Sequence, residues 1–148
     1  MRHEKYINKN NNMRRVDKII IHCTATNPEQ DFDVKDIDRW HKAKGWKGCG
    51  YHLVIKLDGT TEYGRSLNEA GAHAFGYNKR SIGIVYVGGV DMDGNPSDTR
   101  TDEQKRALRA VVGLLLKDYP KATVHGHNEF NKGKACPSFN VKNENYGG

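Results

Sequence analysis

Seven histidines and three cysteines are the residues of this 148-residue chain with the most chemistry to offer. His22 ends the apolar run Lys18-Ile19-Ile20-Ile21-His22-Cys23, where a polar side chain must either reach the rim of a sheet or be buried with a partner. His125 and His127 stand two residues apart, so on a strand they share a face. Cys136 follows in the loop sequence Lys134-Ala135-Cys136-Pro137. A strand-end histidine, a second strand histidine and a loop cysteine make three nitrogen and sulfur donors, the number that an open catalytic zinc site uses. The spacing does not choose between His125 and His127. The plainer alternative is that Cys136 is a small buried apolar residue among structural histidines.

The other candidates read as structure. His41 lies beside Trp40 on a helical pattern and is expected to pack. Tyr51 and His52 are neighbours on a strand and point to opposite faces, so only one of them can face a given site. Cys23 alternates away from His22 toward the core, and Cys49 sits in a glycine-flanked turn.

The elements that must position these side chains follow from punctuation and periodicity. The β-branched run at 18–23 is a buried strand, broken by Asn27-Pro28. Val34, Ile37, Trp40, His41 and Lys44 fall at helical spacing, with Asp33 as N-cap and Gly45 as terminator. Tyr51 to Leu57 and Thr60 to Gly64 form a hairpin about Asp58-Gly59. A loop rich in Gly, Ala and His (71–78) leads to a strand from Ser81 to Val87, and Asp91 to Ser97 is turn chemistry. Thr101 and Gln104 make a capping box ahead of Leu108, Val111, Val112, Leu115 and Tyr119, a helix stopped by Pro120. Ala122 to Gly126 is a last short strand, followed by a polar tail. With no internal repeat and no linker, the order β-α-β-β-β-α-β predicts a single α/β domain, a central mixed sheet flanked by helices.

Composition narrows the function classes. Mean hydropathy is −0.83 and no apolar run approaches the roughly 18 residues of a membrane span. The opening residues contain no hydrophobic segment, so no secretory signal peptide is expected. An odd number of irregularly spaced cysteines argues against a disulfide framework and for synthesis in a reducing compartment. The net charge of +6 is uneven: six basic and two acidic side chains give residues 1–18 a charge of +4. Residues 1–16 therefore read as a basic, mobile leader and 17–148 as the folded domain. The leader could serve as a polyanion-binding arm, but no helix-turn-helix or RNP-type aromatic pattern supports nucleic acid as the partner.

The motifs also carry a resemblance. His22-Cys23-Thr24-Ala25-Thr26, Trp40-His41 with Gly45-Trp46, Gly50-Tyr51-His52, Asp58-Gly59-Thr60 and Gly64-Arg65 occur in order. His73-Ala74-Phe75-Gly76-Tyr77-Asn78, Ser81-Ile82-Gly83-Ile84 and Lys134-Ala135-Cys136-Pro137-Ser138-Phe139 continue the series. Together, from about Asp17 to Phe139, they resemble the zinc-dependent N-acetylmuramoyl-L-alanine amidases, specifically the small phage lysozyme-type enzymes that share a fold with peptidoglycan recognition proteins.

The resemblance implies one Zn²⁺ held by His22, His127 and Cys136, with His127-Asn128-Glu129 in the place of the second ligand and His125 left to a structural role. It implies Tyr51 and Lys134 as catalytic residues, and His73 and Asn78 as part of the loop that binds substrate. The implied reaction is hydrolysis of the amide between N-acetylmuramic acid and the L-alanine of the stem peptide. The alternative within the same fold is a peptidoglycan-binding module without catalysis, and Cys136 with Tyr51 and Lys134 favours the enzyme. The implied setting is a monomeric endolysin whose partner is peptidoglycan, made in the cytoplasm and acting on the wall after release. The tail after Phe139 is short and polar, without the closing helix such a domain would be expected to carry.

Overall fold

The computed structural model describes residues 14–147. β1 (Lys18–Cys23) is an interior strand of a five-stranded sheet ordered β3-β2-β4-β1-β5. β4 (Ser81–Tyr86) and β5 (Thr123–Gly126) flank β1, both parallel to it. β2 (Leu53–Ile55) adds in parallel to β4, and β3 (Thr61–Tyr63) closes the edge as an antiparallel hairpin with β2. The sheet is therefore mixed, as the element order predicts.

β2 is a shorter ladder than the expected 51–57, because the Lys56 N–H already donates to Thr60 O inside the hairpin turn. Both helices begin at the expected N-caps, and in both the cap is a reciprocal exchange. α1 (Val34–Ala43) opens with Asp33 and Asp36 each accepting the other's backbone N–H, and its Val34 N–H donates to Glu62 of β3. α2 (Asp102–Asp118) opens with the same exchange between Thr101 and Gln104. Gln104 is itself fully buried, its amide donating to Val87 O across the sheet. A polar residue survives there because it ties the helix start to a strand end.

Strand alternation sorts the side chains into two layers. Ile19, Ile21, Ile82, Ile84, Leu53 and Ile55 pack under Leu108, Val112 and Leu115 of α2. Val54, Val85 and Val87 face Ile37 of α1 in a smaller cluster.

Both ends of the described chain are tied to this core. Val16 is buried in the larger cluster, and the Arg14 guanidinium donates to Leu67 O, Lys79 O and Ser81 O. Three carbonyls and a buried valine are ordered partners, so Arg14 and Val16, expected in the leader, pack against the folded domain. The rest of the basic leader, residues 1–13, lies outside the described residues. Among the described residues the polar tail forms no α-helix but does dock: Val141 is buried in the larger cluster and Glu144 pairs with Arg100, whose guanidinium lies 3.4 Å from the Phe139 ring centre.

Candidate active site

The site sits where β1 and β5 end, at the carboxyl edge of the parallel strands, the usual place for ligands in open α/β sheets. β1 delivers His22, which is 1% exposed and in register with Val85 of β4. His127 begins the turn that follows β5, and its ring centre lies 4.6 Å from that of His22. Cys136 comes from the loop beyond. That loop is tied down by three hydrogen bonds: Asn128 N–H to Cys136 O, the Tyr86 hydroxyl to Pro137 O at 2.6 Å, and the Ser138 hydroxyl to Gly89 O. The Cys136 Sγ accepts the Cys23 backbone N–H at 3.2 Å, which fixes it against the end of β1. Ala25 and Ser138, each two residues beyond one of these cysteines, hold positive φ angles of 59° and 69°. The chain is bent at both approaches to the site.

The donor atoms of His22, His127 and Cys136 all lie within 4.8 Å of one another. His125, which spacing alone could not separate from His127, is elsewhere: it bonds Thr123 and Glu129. His127, and not His125, is thus grouped with His22 and Cys136.

Burial, reinforced by His73 and His127, drives the His22 pKa well below its ordinary value. Burial and then Lys134 lower that of His127. Both imidazoles are neutral near pH 7, the state in which a ring nitrogen offers a lone pair. The hydrogen bond shared with the Cys23 thiol, and then burial, raise the Cys136 thiol above its usual range, while Lys134 pulls the other way. Ionising that sulfur calls for positive charge beside it. Donors around a tetrahedral zinc stand roughly 3.5 Å apart, given bond lengths of about 2.0–2.3 Å. Two neutral imidazoles and a thiol gathered this closely fit such an ion.

The remaining expected residues surround this group. Tyr51 precedes β2, and its half-buried ring lies 5.1 Å from the His22 ring. Burial raises its pKa, so the hydroxyl keeps its proton. Lys134 is exposed on the loop before Cys136 and lines the same cavity of about 270 Å³ as His22, Tyr51 and His127. That cavity continues into a groove of about 570 Å³ bordered by Trp46, Phe75, Asn78 and Phe130.

His73 and Asn78 do come to the groove, but with their polar atoms engaged. Asn78 Oδ1 accepts the N–H groups of His73 and Ala74, shaping the loop. His73 Nδ1 lies 2.8 Å from His22 Nε2.

Three residues border the groove without having been assigned to it from sequence. His41 packs as expected, accepting the Gly50 N–H and stacking near Trp46, yet it also borders the groove. Phe75 is 99% exposed and Trp46 38% exposed, both at the groove. An aromatic residue inside a Gly/Ala/His loop was the available signal for Phe75, since such a side chain has no core to enter.

The comparisons with known proteins agree with this geometry. Residues 12–139 match the N-acetylmuramoyl-L-alanine amidase family. An endolysin of Escherichia phage T7 is 45% identical over 126 residues, covering 85% of this chain and 83% of the relative. Among solved structures, the N-acetylmuramoyl-L-alanine amidase LysC from Clostridium intestinale URNW superposes with a TM-score of 0.76 at 31% identity, over 90% of this chain and 83% of that one. Drosophila PGRP-LB shares the fold at a TM-score of 0.71 and 24% identity, over 84% of this chain and 75% of that one. On the family match and the identity to the phage enzyme, this chain belongs to the N-acetylmuramoyl-L-alanine amidases.

Proposed function

We propose that this amidase is a phage-type endolysin that uses one Zn²⁺ held by His22, His127 and Cys136 to cut the bond between N-acetylmuramic acid and L-alanine. The observation that carries the metal reading is the convergence of these three donors within 4.8 Å beside a groove. A zinc ion so held supplies a Lewis acid for the scissile carbonyl and lowers the pKa of a water to about 7.

The protein's own residues do the rest. The Tyr51 hydroxyl, kept protonated by burial, donates a hydrogen bond into the cavity beside His22. The Lys134 ammonium offers positive charge to the oxyanion that develops as the carbonyl is attacked, typically the largest single term in such catalysis. Lys134 also lies close enough to affect the ionisation of Cys136 and His127, so its charge serves the donor set as well. The groove, with Trp46 and Phe75 exposed along it, holds the glycopeptide so that its amide lies over the donors. No helix among the described residues is long and apolar enough to cross a membrane. The wall is the site of action, reached after synthesis in the cytoplasm.

Digestion of purified peptidoglycan with and without a chelator tests this reading. Mass spectrometry should show stem peptides freed at L-alanine, and the chelator should abolish their release. Cleavage that survives chelation would overturn the zinc assignment, and products cut between sugars or within the peptide would overturn the bond.

A further inference from the structure

His73 lies beyond the three donors, yet it is within hydrogen-bond reach of one of them: His73 Nδ1 is 2.8 Å from His22 Nε2. Its own Nε2 lies 3.3 Å from the Ser81 hydroxyl. The ring is wedged between two glycines. A Cβ at Gly83 would stand 2.6–2.7 Å from three atoms of the His73 ring, and one at Gly71 would stand 2.6 Å from its Cδ2. Gly83 is paired with Ile20, one step back along β1 from His22's own face, whereas Cys136 Sγ is bound at the following residue, Cys23. His73 is thus lodged beside β1 at a residue before His22, and Cys136 is held at the residue after it.

The proton inventory decides what this contact can do. If His73 donated to His22 Nε2, the proton of a neutral His22 would have to sit on Nδ1, and no lone pair would remain for a cation. If His22 donates its Nε2–H to His73 Nδ1, the Nδ1 lone pair of His22 is left free. The His73 proton then sits on Nε2, aimed at the Ser81 oxygen, so every group in the line is satisfied.

We propose that His73 is a positioning residue that fixes the tautomer and ring orientation of His22, through the line Ser81–His73–His22, so that His22 Nδ1 faces the metal. The inference rests on the reading of His22 as a ligand. It gives His73 a task separate from the substrate contact that its loop position suggests. Partners of this kind, holding a ligating imidazole from behind, typically change metal affinity by roughly 10–100-fold when removed.

The full chain, loaded and then titrated against a competing zinc chelator, supplies the test. His73→Phe fills the same space without an acceptor, and its zinc dissociation constant should rise roughly 10–100-fold. His73→Asn places an oxygen as many bonds from Cα as Nδ1 and should restore affinity to within a few fold of the parent. Gly83→Ala leaves every named side chain chemically unaltered but displaces the His73 ring, and should weaken zinc as His73→Phe does. Far-UV circular dichroism of each variant confirms that the fold is kept. In the metal-free parent, ¹⁵N NMR should show His22 as the Nε2–H tautomer, and the Phe variant should lose that preference. Unaltered zinc affinity in His73→Phe, with only the KM for wall fragments raised, would overturn the inference while leaving the ligands intact. So would equal weakening by Phe and Asn. A parent chain that binds no stoichiometric zinc would overturn the ligand reading, and the inference with it.

Discussion

On β1, Ile19, Ile21 and Cys23 turn toward α2, while Ile20 and His22 turn toward α1. β4 repeats the division, with Ile82, Ile84 and Tyr86 on one side and Gly83, Val85 and Val87 on the other. The α2 face is an apolar layer into which a whole helix is pressed. The α1 face is thinner and carries His22, His41 and His52, all buried. One alternating backbone thus supports a face that supplies stability and a face that spends it on unprotonated nitrogen. Substitutions should separate cleanly: on the α1 face they should change metal and turnover, on the α2 face the folding equilibrium.

The largest expected effect lies at the site. Cys136→Ala should release zinc and abolish wall lysis, whereas Lys134→Ala should keep stoichiometric zinc and still lose about 10²–10³-fold in rate, the usual loss for one oxyanion-stabilising group. Atomic absorption beside a lysis assay reads both. Retained zinc in Cys136→Ala would exclude Cys136 as a ligand, and lost zinc in Lys134→Ala would overturn the assignment of Lys134 to the oxyanion. On the opposite face, Leu108→Ala should cost about 2–5 kcal/mol, since Leu108 is 0% exposed among the strand isoleucines. Urea unfolding measures it, and the folded fraction should lyse walls at the parental rate. A changed rate per folded molecule would mean that the two faces are not separable.

Acid should find the α1 face first. Burial, then Lys44 and Arg65, lower the His41 pKa to about 4 against the opposing pull of Asp38. Burial also takes His52 to about 4, with Arg14 and Arg65 helping and the hydrogen bond to Glu69 O opposing. The unfolded chain takes up protons near pH 6.5, and the folded chain does not until near pH 4. Their contribution to stability is therefore full above about pH 6.5 and falls as pH drops through that window. Each histidine should cost about 1 kcal/mol between pH 6.5 and 5.5. Urea midpoints of the chelated protein across that range give the slope, and a flat profile would show that these imidazoles are not held neutral by the fold.

Much of this division is legible in the sequence. The alternation of Lys18–Cys23 and Ser81–Tyr86, the Asp33 N-cap, the Thr101/Gln104 capping box and the Asp58-Gly59 turn are local signals, and local physics realises them. The ligand trio is legible only through family resemblance, because spacing treats His125 and His127 alike. What separates them is the chain's turn immediately after Gly126, where Glu129 reaches back to the Gly126 N–H and to His125. The His73–His22 contact spans 51 residues and depends on two glycines leaving room for a ring, a steric fact without a local pattern. Arg14 reads as leader because charge patterning registers a cation and not the three carbonyls that fold around it.

The smallest expected effect probes the comparison most directly, because it places equivalent changes on the two faces. Asp33 and Thr101 cap α1 and α2 by the same reciprocal exchange, and removing such a cap costs about 1 kcal/mol. The helices differ in what holds them afterwards. α2 buries Gln104, Leu108, Val112 and Leu115, so it cannot loosen without opening the main core. α1 buries only Ile37 and His41, and its start keeps a second tie through Glu62. Thr101→Ala should therefore lower the global unfolding midpoint by the full amount, also losing the hydroxyl's bond to Leu57 O. Asp33→Ala should appear chiefly as faster amide exchange within Val34–Ala43, with a smaller shift in the midpoint. Equal midpoint shifts from the two variants would mean that α1 opens only with the whole domain. The α1 face would then be as firmly built as the α2 face, and its histidines would be held neutral by global rather than local stability.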